Sequence, residues 1–365
     1  MRILSVFWLR QAVTGGHERF LHLLRGLADR GHDITVFTKA EYSYDASGLK
    51  TIEMDEGWVP SQKLDALRAI FSGKENFVEA KSGDGADAIV SFGLGSAIPS
   101  MYLKLSLDTP MLLGLRSYPP ENVVQEEVIF EVARRSITSM YLRAVLRGAD
   151  RVIMQTEAQQ KKLVGNHKAR CEETAVIRNN IRGKLEEGTE SRRARRLLFA
   201  GTLKYRKGLD TLLQALSLIT ASTEAIHLHV AGKGPMEEKA MSYVEENGLC
   251  DHVTFHGYVE DVKALMRKAD LVVIPSRFDS FPNVGLEAMG VGTPFIVSDL
   301  TDVRSAFGSV TQYVRPGDPE RLARKLASLQ KPDQYRRLRE QCISHRSSFD
   351  FDWVGEFESE IRRMV

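Results

Sequence analysis

Short, branched apolar runs alternate along the chain with longer segments whose apolar residues recur every three or four positions. Arg2–Trp8 is the first such run. After a loop holding Gly15 and Gly16 come Phe20, Leu23, Leu24 and Leu27 at helical spacing. Arg30-Gly31-His32 closes that helix and Ile34-Thr35-Val36-Phe37 begins the next run, which together predict a β-α-β unit. The alternation continues through Ala88–Phe92, Met111–Leu115, Arg151–Met154 and Ala175–Ile177. Such runs, apolar throughout, are what parallel strands covered on both faces require. Between Ile181 and Leu197 the chain turns polar, with Gly188-Thr189-Glu190-Ser191 followed by Arg192, Arg193, Arg195 and Arg196, as expected of a linker. Alternation restarts at Leu197–Ala200. It then gives a helix at Leu209–Leu218, a strand at His227–Ala231, a helix at Glu237–Asn247 and strands at Val253–His256, Leu271–Ile274 and Phe295–Val297. The pattern therefore predicts an α/β protein with two doubly wound parallel-sheet domains, residues 1–184 and 185–348. Helical patterns around Leu322–Leu329, at the strongly charged Asp333–His345 and at Val354–Met364 end the chain.

Length agrees with this division, since 365 residues is about twice a typical domain. A net charge of +2 argues against dedicated nucleic-acid binding, where a basic excess supplies most of the affinity. The three cysteines, Cys171, Cys250 and Cys342, are scattered, which suits a reducing cytoplasm and no metal cluster. The apolar start of the chain is interrupted at Arg10, too soon for a secretion signal, and no run approaches the ~20 apolar residues of a membrane span. A cytoplasmic protein is expected, with any membrane contact peripheral. Arg134, Arg135, Arg143, Arg147 and Arg151, set around Ile137, Met140, Tyr141, Leu142, Ala144 and Val145, fit a half-buried helix with solvated arginines; they also fit a helix lying on anionic lipid at the inner membrane face.

The chemistry concentrates in Pro275-Ser276-Arg277-Phe278-Asp279-Ser280-Phe281-Pro282-Asn283-Val284-Gly285-Leu286-Glu287. It follows the apolar run Leu271–Ile274, so it sits at the C-terminal end of a predicted strand, where ligands of open α/β sheets bind. Pro282 keeps Phe281 out of the helix and suits a first helical turn. Asp279 is then a loop carboxylate, and Glu287 projects from the first or second turn of the new helix. Backbone amides around Phe281–Val284 offer an anion cradle at that helix start. Gly15-Gly16-His17-Glu18, Phe199–Gly208 and Val230-Ala231-Gly232-Lys233-Gly234-Pro235 likewise follow predicted strands, and glycines in such turns let backbone amides approach an anion.

These motifs, in this order, resemble those of the retaining glycosyltransferases of family 4, the group 1 glycosyl transferases. Arg178-Asn179-Asn180-Ile181 before the linker belongs to the same resemblance, which spans nearly the whole chain. It implies a GT-B fold, in which two Rossmann-like domains face a central cleft. The first would bind a saccharide or lipid-linked acceptor, and the second a nucleotide-diphosphate sugar. A terminal helix, about 349–365, would cross back to the first domain with Trp353 near the crossing. By the same resemblance Lys207 lies against the donor diphosphate, Asp279 binds hydroxyls of the donor sugar and Glu287 binds the ribose. Gly15, Gly16, Thr202, Arg206, Gly232, Tyr258, Val259, Ser280, Phe281, Pro282, Asn283 and Val284 complete the donor contacts. No cofactor and no metal are implied; Asp350-Phe351-Asp352 has the letters of an Asp-x-Asp metal site but lies by the crossover. Surface polysaccharide or glycolipid synthesis is the pathway that family frequency favours.

Three positions depart from the family pattern. Thr202 stands where an arginine is usual, leaving Lys204 or Arg206 as the second cation. Asp279 replaces a glutamate and is followed by Ser280 rather than glycine, which shortens the reach by about one methylene. No histidine lies between His32 and His167, so the usual acceptor-side histidine is missing and the loop reads Arg116-Ser117-Tyr118-Pro119-Pro120. Arg116, Ser117 and His17 are the remaining acceptor-side candidates. A sugar-nucleotide epimerase and a non-catalytic sugar-nucleotide sensor of the same fold are the competing functions.

Overall fold

The computed structural model describes residues 1–7, 15–39, 48–54, 85–117, 128–167, 169–188, 191–220 and 226–365. Trp8, Arg10, Thr189, Glu190 and the loop residues Tyr118, Pro119 and Pro120 lie outside them. The chain divides into two compact units: Met1–Arg178 with Asp352–Val365, and Asn179–Phe351.

Unit 1 is built on a seven-stranded, all-parallel sheet. Its strands are β1 (Arg2–Phe7), β2 (Asp33–Lys39), β3 (Lys50–Met54), β4 (Ala88–Phe92), β5 (Met111–Leu115), β6 (Arg151–Met154) and β7 (Thr174–Val176). They lie in the order β3-β2-β1-β4-β5-β6-β7. Helices α1 (Gly15–Asp29), α2 (Leu94–Leu107), α3 (Val128–Gly148) and α4 (Glu157–His167) connect them. The helical spacing of Phe20, Leu23, Leu24 and Leu27 turns one stripe of α1 inward, and all four are fully buried. Strand β3 was not expected from the apolar pattern. It is an edge strand, LysThrIleGluMet, and an edge needs no continuous apolar run because only one side is paired.

Unit 2 carries a six-stranded parallel sheet in the order β10-β9-β8-β11-β12-β13. The strands are β8 (Arg196–Ala200), β9 (His227–Ala231), β10 (Val253–Gly257), β11 (Leu271–Ile274), β12 (Phe295–Ser298) and β13 (Gln312–Val314). The helices are α5 (Leu209–Thr220), α6 (Glu237–Glu246), α7 (Val262–Lys268), α8 (Asn283–Gly290), α9 (Thr301–Phe307), α10 (Pro319–Ser328) and α11 (Pro332–Ser344). Strands β8 to β10 wind one way, and β11 returns to pair with the free edge of β8, with Leu271 opposite Leu197. This reversal leaves a crevice at the carboxyl ends of β8 and β11, between loops that diverge to opposite sides. Asp270, just before β11, fixes the β8–β11 pairing by accepting from the Arg195 and Arg196 amides (3.1 and 2.7 Å) and from the Arg196 guanidinium. The three-residue edge strand β13 and the short α9 were also not expected, because neither is long enough to show a period.

The last helix, α12 (Trp353–Arg362), packs on unit 1. Trp353 is 2% exposed, lies 4.7 Å from the Phe357 ring centroid and stacks on His22, with the Arg19 guanidinium over its ring. Gly26 of α1 makes room for Val354: a Cβ there would stand 2.6 Å from the Val354 side chain. Around this seam Arg30 pairs with Asp352 and Glu358, His32 with Glu358, and Arg151 with Glu360. Asp352 caps α12 by accepting from the Gly355 amide. Within unit 2, the two segments by which the chain passes between units are tied together, the Asn180 side chain donating to the Phe351 carbonyl and the Ile181 amide to that of Phe349.

Candidate active site

At the crevice of unit 2 the loop after β8 meets the loop after β11. A short 3-10 turn, Tyr205–Lys207, ends at Gly208, whose φ of 71° lies in the left-handed region. Glycine is needed here for that conformation and because a Cβ on Gly208 would stand 2.1 Å from the Pro275 carbonyl oxygen. Backbone contact continues where the Arg277 amide donates to the Arg206 carbonyl at 2.8 Å. Gly232, after β9, makes a second close approach: its φ is 142° and a Cβ would meet the Gly201 carbonyl at 1.9 Å.

This packing brings Lys207 and Asp279 together. The Lys207 ammonium lies 2.6 Å from Asp279 Oδ2, and the two side chains are only 18% and 13% exposed. The Ser276 hydroxyl donates to the same oxygen at 3.3 Å and the Ser280 amide to Oδ1 at 3.0 Å. Burial works to raise the Asp279 pKa, but the charge and hydrogen bond of Lys207, the Arg206 charge and the Ser280 amide outweigh it and hold the group below the usual carboxylate range. The carboxylate is thus ionised at neutral pH. The Arg206 charge also acts on Asp279 at this point, while Thr202 is exposed.

Phe281–Val284 lead into α8. The Phe281 ring is buried against Phe307 and Phe349, so this residue faces the core and only its backbone is available to a ligand. Pro282 is the residue preceding the first turn, and Asn283 Oδ1 accepts from Asn179 Nδ2 at 2.9 Å. The first amides of any helix lack intrahelical acceptors and point outward along its axis. Glu287 is half-buried in the second turn of α8. Tyr258, after β10, is 76% exposed, and Val259 packs partly on the core.

Arg277 was not singled out in the sequence, although it lies inside the motif. It donates from Nη1 to Asp210 (2.6 Å) and the Tyr205 carbonyl (3.1 Å), and from Nη2 to Asp210 (2.8 Å) and Thr211 (2.9 Å). Its guanidinium also lies 4.2 Å from the Tyr205 ring centroid. Arg277 therefore braces the turn that presents Lys207, a role invisible without the distant partner Asp210.

In unit 1, Gly15 and Gly16 open α1 at the carboxyl end of β1. His17, next in the chain, stands edge-on to Phe7, with ring centroids 5.8 Å apart. Burial, with a smaller effect from the Arg116 charge, lowers its pKa to about 4, so the imidazole is neutral at pH 7. The structure thus places His17 within electrostatic reach of Arg116, which follows β5; Ser117 is half-buried beside Arg116 in sequence. Helix α3 is amphipathic: Tyr141, Leu142, Val145 and Leu146 are buried, whereas Ile137, Met140, Arg143 and Arg147 are exposed. Among the described residues, no group of three or more His, Cys, Asp or Glu is placed to hold a metal ion, and no helix is long and apolar enough to cross a membrane.

Two family models match successive parts of the chain: the glycosyl transferase 4-like domain over residues 14–180 and glycosyl transferases group 1 over residues 194–331. The chain belongs to the group 1, family-4-type glycosyltransferases. Its fold is GT-B. A glycogen synthase of Mycobacterium tuberculosis is 24% identical over 97% of this chain and 92% of its own. Among solved structures, sucrose-phosphate synthase from Thermosynechococcus elongatus superposes with a TM-score of 0.79 at 21% identity, covering 99% of this glycosyltransferase and 98% of that chain. HepE of Anabaena, solved with UDP and glucose, gives 0.76 at 17% identity over 100% and 99%.

Proposed function

We propose that this glycosyltransferase moves a sugar from a nucleoside-diphosphate sugar, held on unit 2, to a hydroxyl of a saccharide or lipid-linked acceptor held on unit 1, with retention at the anomeric carbon. The observation that carries the reading is the half-buried Lys207–Asp279 pair, with the Arg206 charge acting on it, at the carboxyl ends of β8 and β11. A diphosphate leaving group gains negative charge as the glycosidic bond breaks, and a fixed ammonium in a shielded crevice stabilises that charge more than a solvated one. Lys207 is that cation. Asp279, ionised and fixed by Ser276 and Ser280, can only accept hydrogen bonds, which suits it to sugar hydroxyls. Glu287, one helical turn further from the strand end, is suited to ribose hydroxyls, and the α8 amides to the phosphates. That HepE binds UDP and glucose on the same fold supports a nucleotide sugar as the donor class.

The proposed step breaks the bond between the anomeric carbon and the diphosphate oxygen while the acceptor oxygen bonds to the same face of that carbon. The departing diphosphate oxygen takes the acceptor proton. No carboxylate nucleophile is required by this route, and both protein carboxylates serve as hydrogen-bond acceptors. On unit 1 the neutral His17 imidazole beside Arg116 is the group best placed by type to orient an acceptor hydroxyl or anion. The test is product analysis with the donor and acceptor once identified. NMR of the product should show the anomeric configuration of the donor, and Asp279→Asn and Lys207→Ala should each lower kcat/KM by about 10–100-fold. An inverted product would refute the mechanism, and full activity in either variant would refute that residue's role.

A further inference from the structure

A groove of about 550 Å³ lies at the β13 edge of unit 2, between the loop leaving β13 and one face of α10. Its lining includes Arg315 from the loop and Arg321, Arg324, Lys325 and Ser328 from α10. Those four helical positions follow an i, i+3, i+4, i+7 spacing, which places them on a single face, while Leu322, Ala323 and Leu326 are buried on the other. Four cations therefore converge on one concave surface.

Their counter-charges are incomplete. Arg321 pairs with Asp318 at 3.3 Å, and Asp299, the one carboxylate of the lining, is engaged by Arg304 at 2.6 Å. Arg315 and Arg324 have no ion-pair or hydrogen-bond partner among the described residues. Lys325 is half-buried, donates to the neutral Gln312 Oε1 at 2.9 Å and has its pKa lowered by burial. Like charges confined to one groove repel and are relieved by a shared counter-ion. Guanidinium forks bind phosphate oxygens through paired N–H donors, which makes two arginines and a lysine a good match for more than one phosphate charge.

We propose that this groove is a second anion-binding site, which takes a small soluble molecule bearing a diphosphate or two phosphate groups. It is separate from the donor crevice, because β12 lies between β13 and the β8–β11 reversal. The two are nevertheless neighbours: Gly317, which follows Arg315 and Pro316, comes within 4.0 Å of the Arg277 guanidinium when a Cβ is placed on it. The loop flooring the groove thus abuts the residue that braces the Lys207 turn.

The probe is inorganic pyrophosphate, titrated calorimetrically at constant ionic strength into full-length Lys207→Ala protein, in which the donor diphosphate site is weakened. The expected result is saturable binding to that variant, weakened by about fivefold or more when Arg315→Ala and Arg324→Ala are added together. Ser328→Glu, which sets a carboxylate in the groove, should weaken it likewise. Because Arg315 and Arg324 are exposed, the double substitution leaves the core untouched, and Ser328→Glu gives an independent check should it not fold. No saturable heat in the Lys207→Ala protein, or affinity changed less than fivefold by the groove variants, would overturn the proposal. Nucleotide-sugar binding to the Arg315→Ala/Arg324→Ala protein reports on the donor site alone, so the two readings fail separately.

Discussion

At the scale of single residues, function rests on a few charges held where water is scarce. Arg277 is the clearest case outside the reacting groups, since four of its hydrogen bonds join the Lys207 turn and α5 to the β11 loop. Arg277→Ala leaves Asp210 without its guanidinium partner and should cost about 1–3 kcal/mol in urea unfolding. The same variant should lower donor affinity while the chain stays folded, which a merely structural contact remote from Lys207 would not do. His17 governs a pH effect. Its native pKa of about 4 is below the ~6.5 of an unfolded histidine, so between these values the unfolded chain takes up a proton that the native chain refuses. Stability should therefore fall as pH drops from ~6.5 towards 4, with His167 and His229, also lowered by burial, adding to the slope. Thermal unfolding of His17→Gln across this range should show a flatter profile than wild type. Lys207 and Asp279 were named in the sequence through the resemblance of their motifs to the family, with Pro282 placing Asp279 in a loop. Arg277's bracing role and the His17–Arg116 proximity were not, since each depends on residues brought near only by the fold.

At the scale of elements, the apolar runs that became β1, β4, β5, β8, β11 and β12 were readable because parallel strands buried on both faces leave no choice of residue type. The edge strands β3 and β13 escaped the same reading for the converse reason: one open side permits Lys50, Glu53 and Gln312. The terminal segment shows a third situation. Its amphipathic period is evident in the sequence, but period alone does not say which unit receives it; the Trp353 ring, fitted against His22, Phe357 and Arg19 of unit 1, does. Trp353→Ala should destabilise the protein by roughly 3–5 kcal/mol, as expected for a fully buried indole, and chemical denaturation monitored by circular dichroism measures it. A loss below about 1 kcal/mol would mean that α12 contributes little to unit 1.

At the scale of the whole molecule, two parallel sheets each reverse their winding once, between β1 and β4 and between β8 and β11, and the second reversal gathers the groups that match a nucleoside-diphosphate sugar. Fold and family were legible because motif order spans both halves of the chain. The donor base, the sugar and the acceptor were not, since they depend on pocket shape rather than on motif. The central claim is that Lys207 and Asp279 hold such a donor. Thermal unfolding of the purified protein in the presence of UDP-, GDP- and ADP-sugars tests it most directly, because a ligand at 100 times its dissociation constant adds roughly 2.7 kcal/mol of stability. One sugar nucleotide should raise the melting temperature more than its nucleotide alone, and the rise should vanish in Lys207→Ala and shrink in Asp279→Asn. No stabilisation by any of them, or an equal rise in both variants, would contradict the assignment.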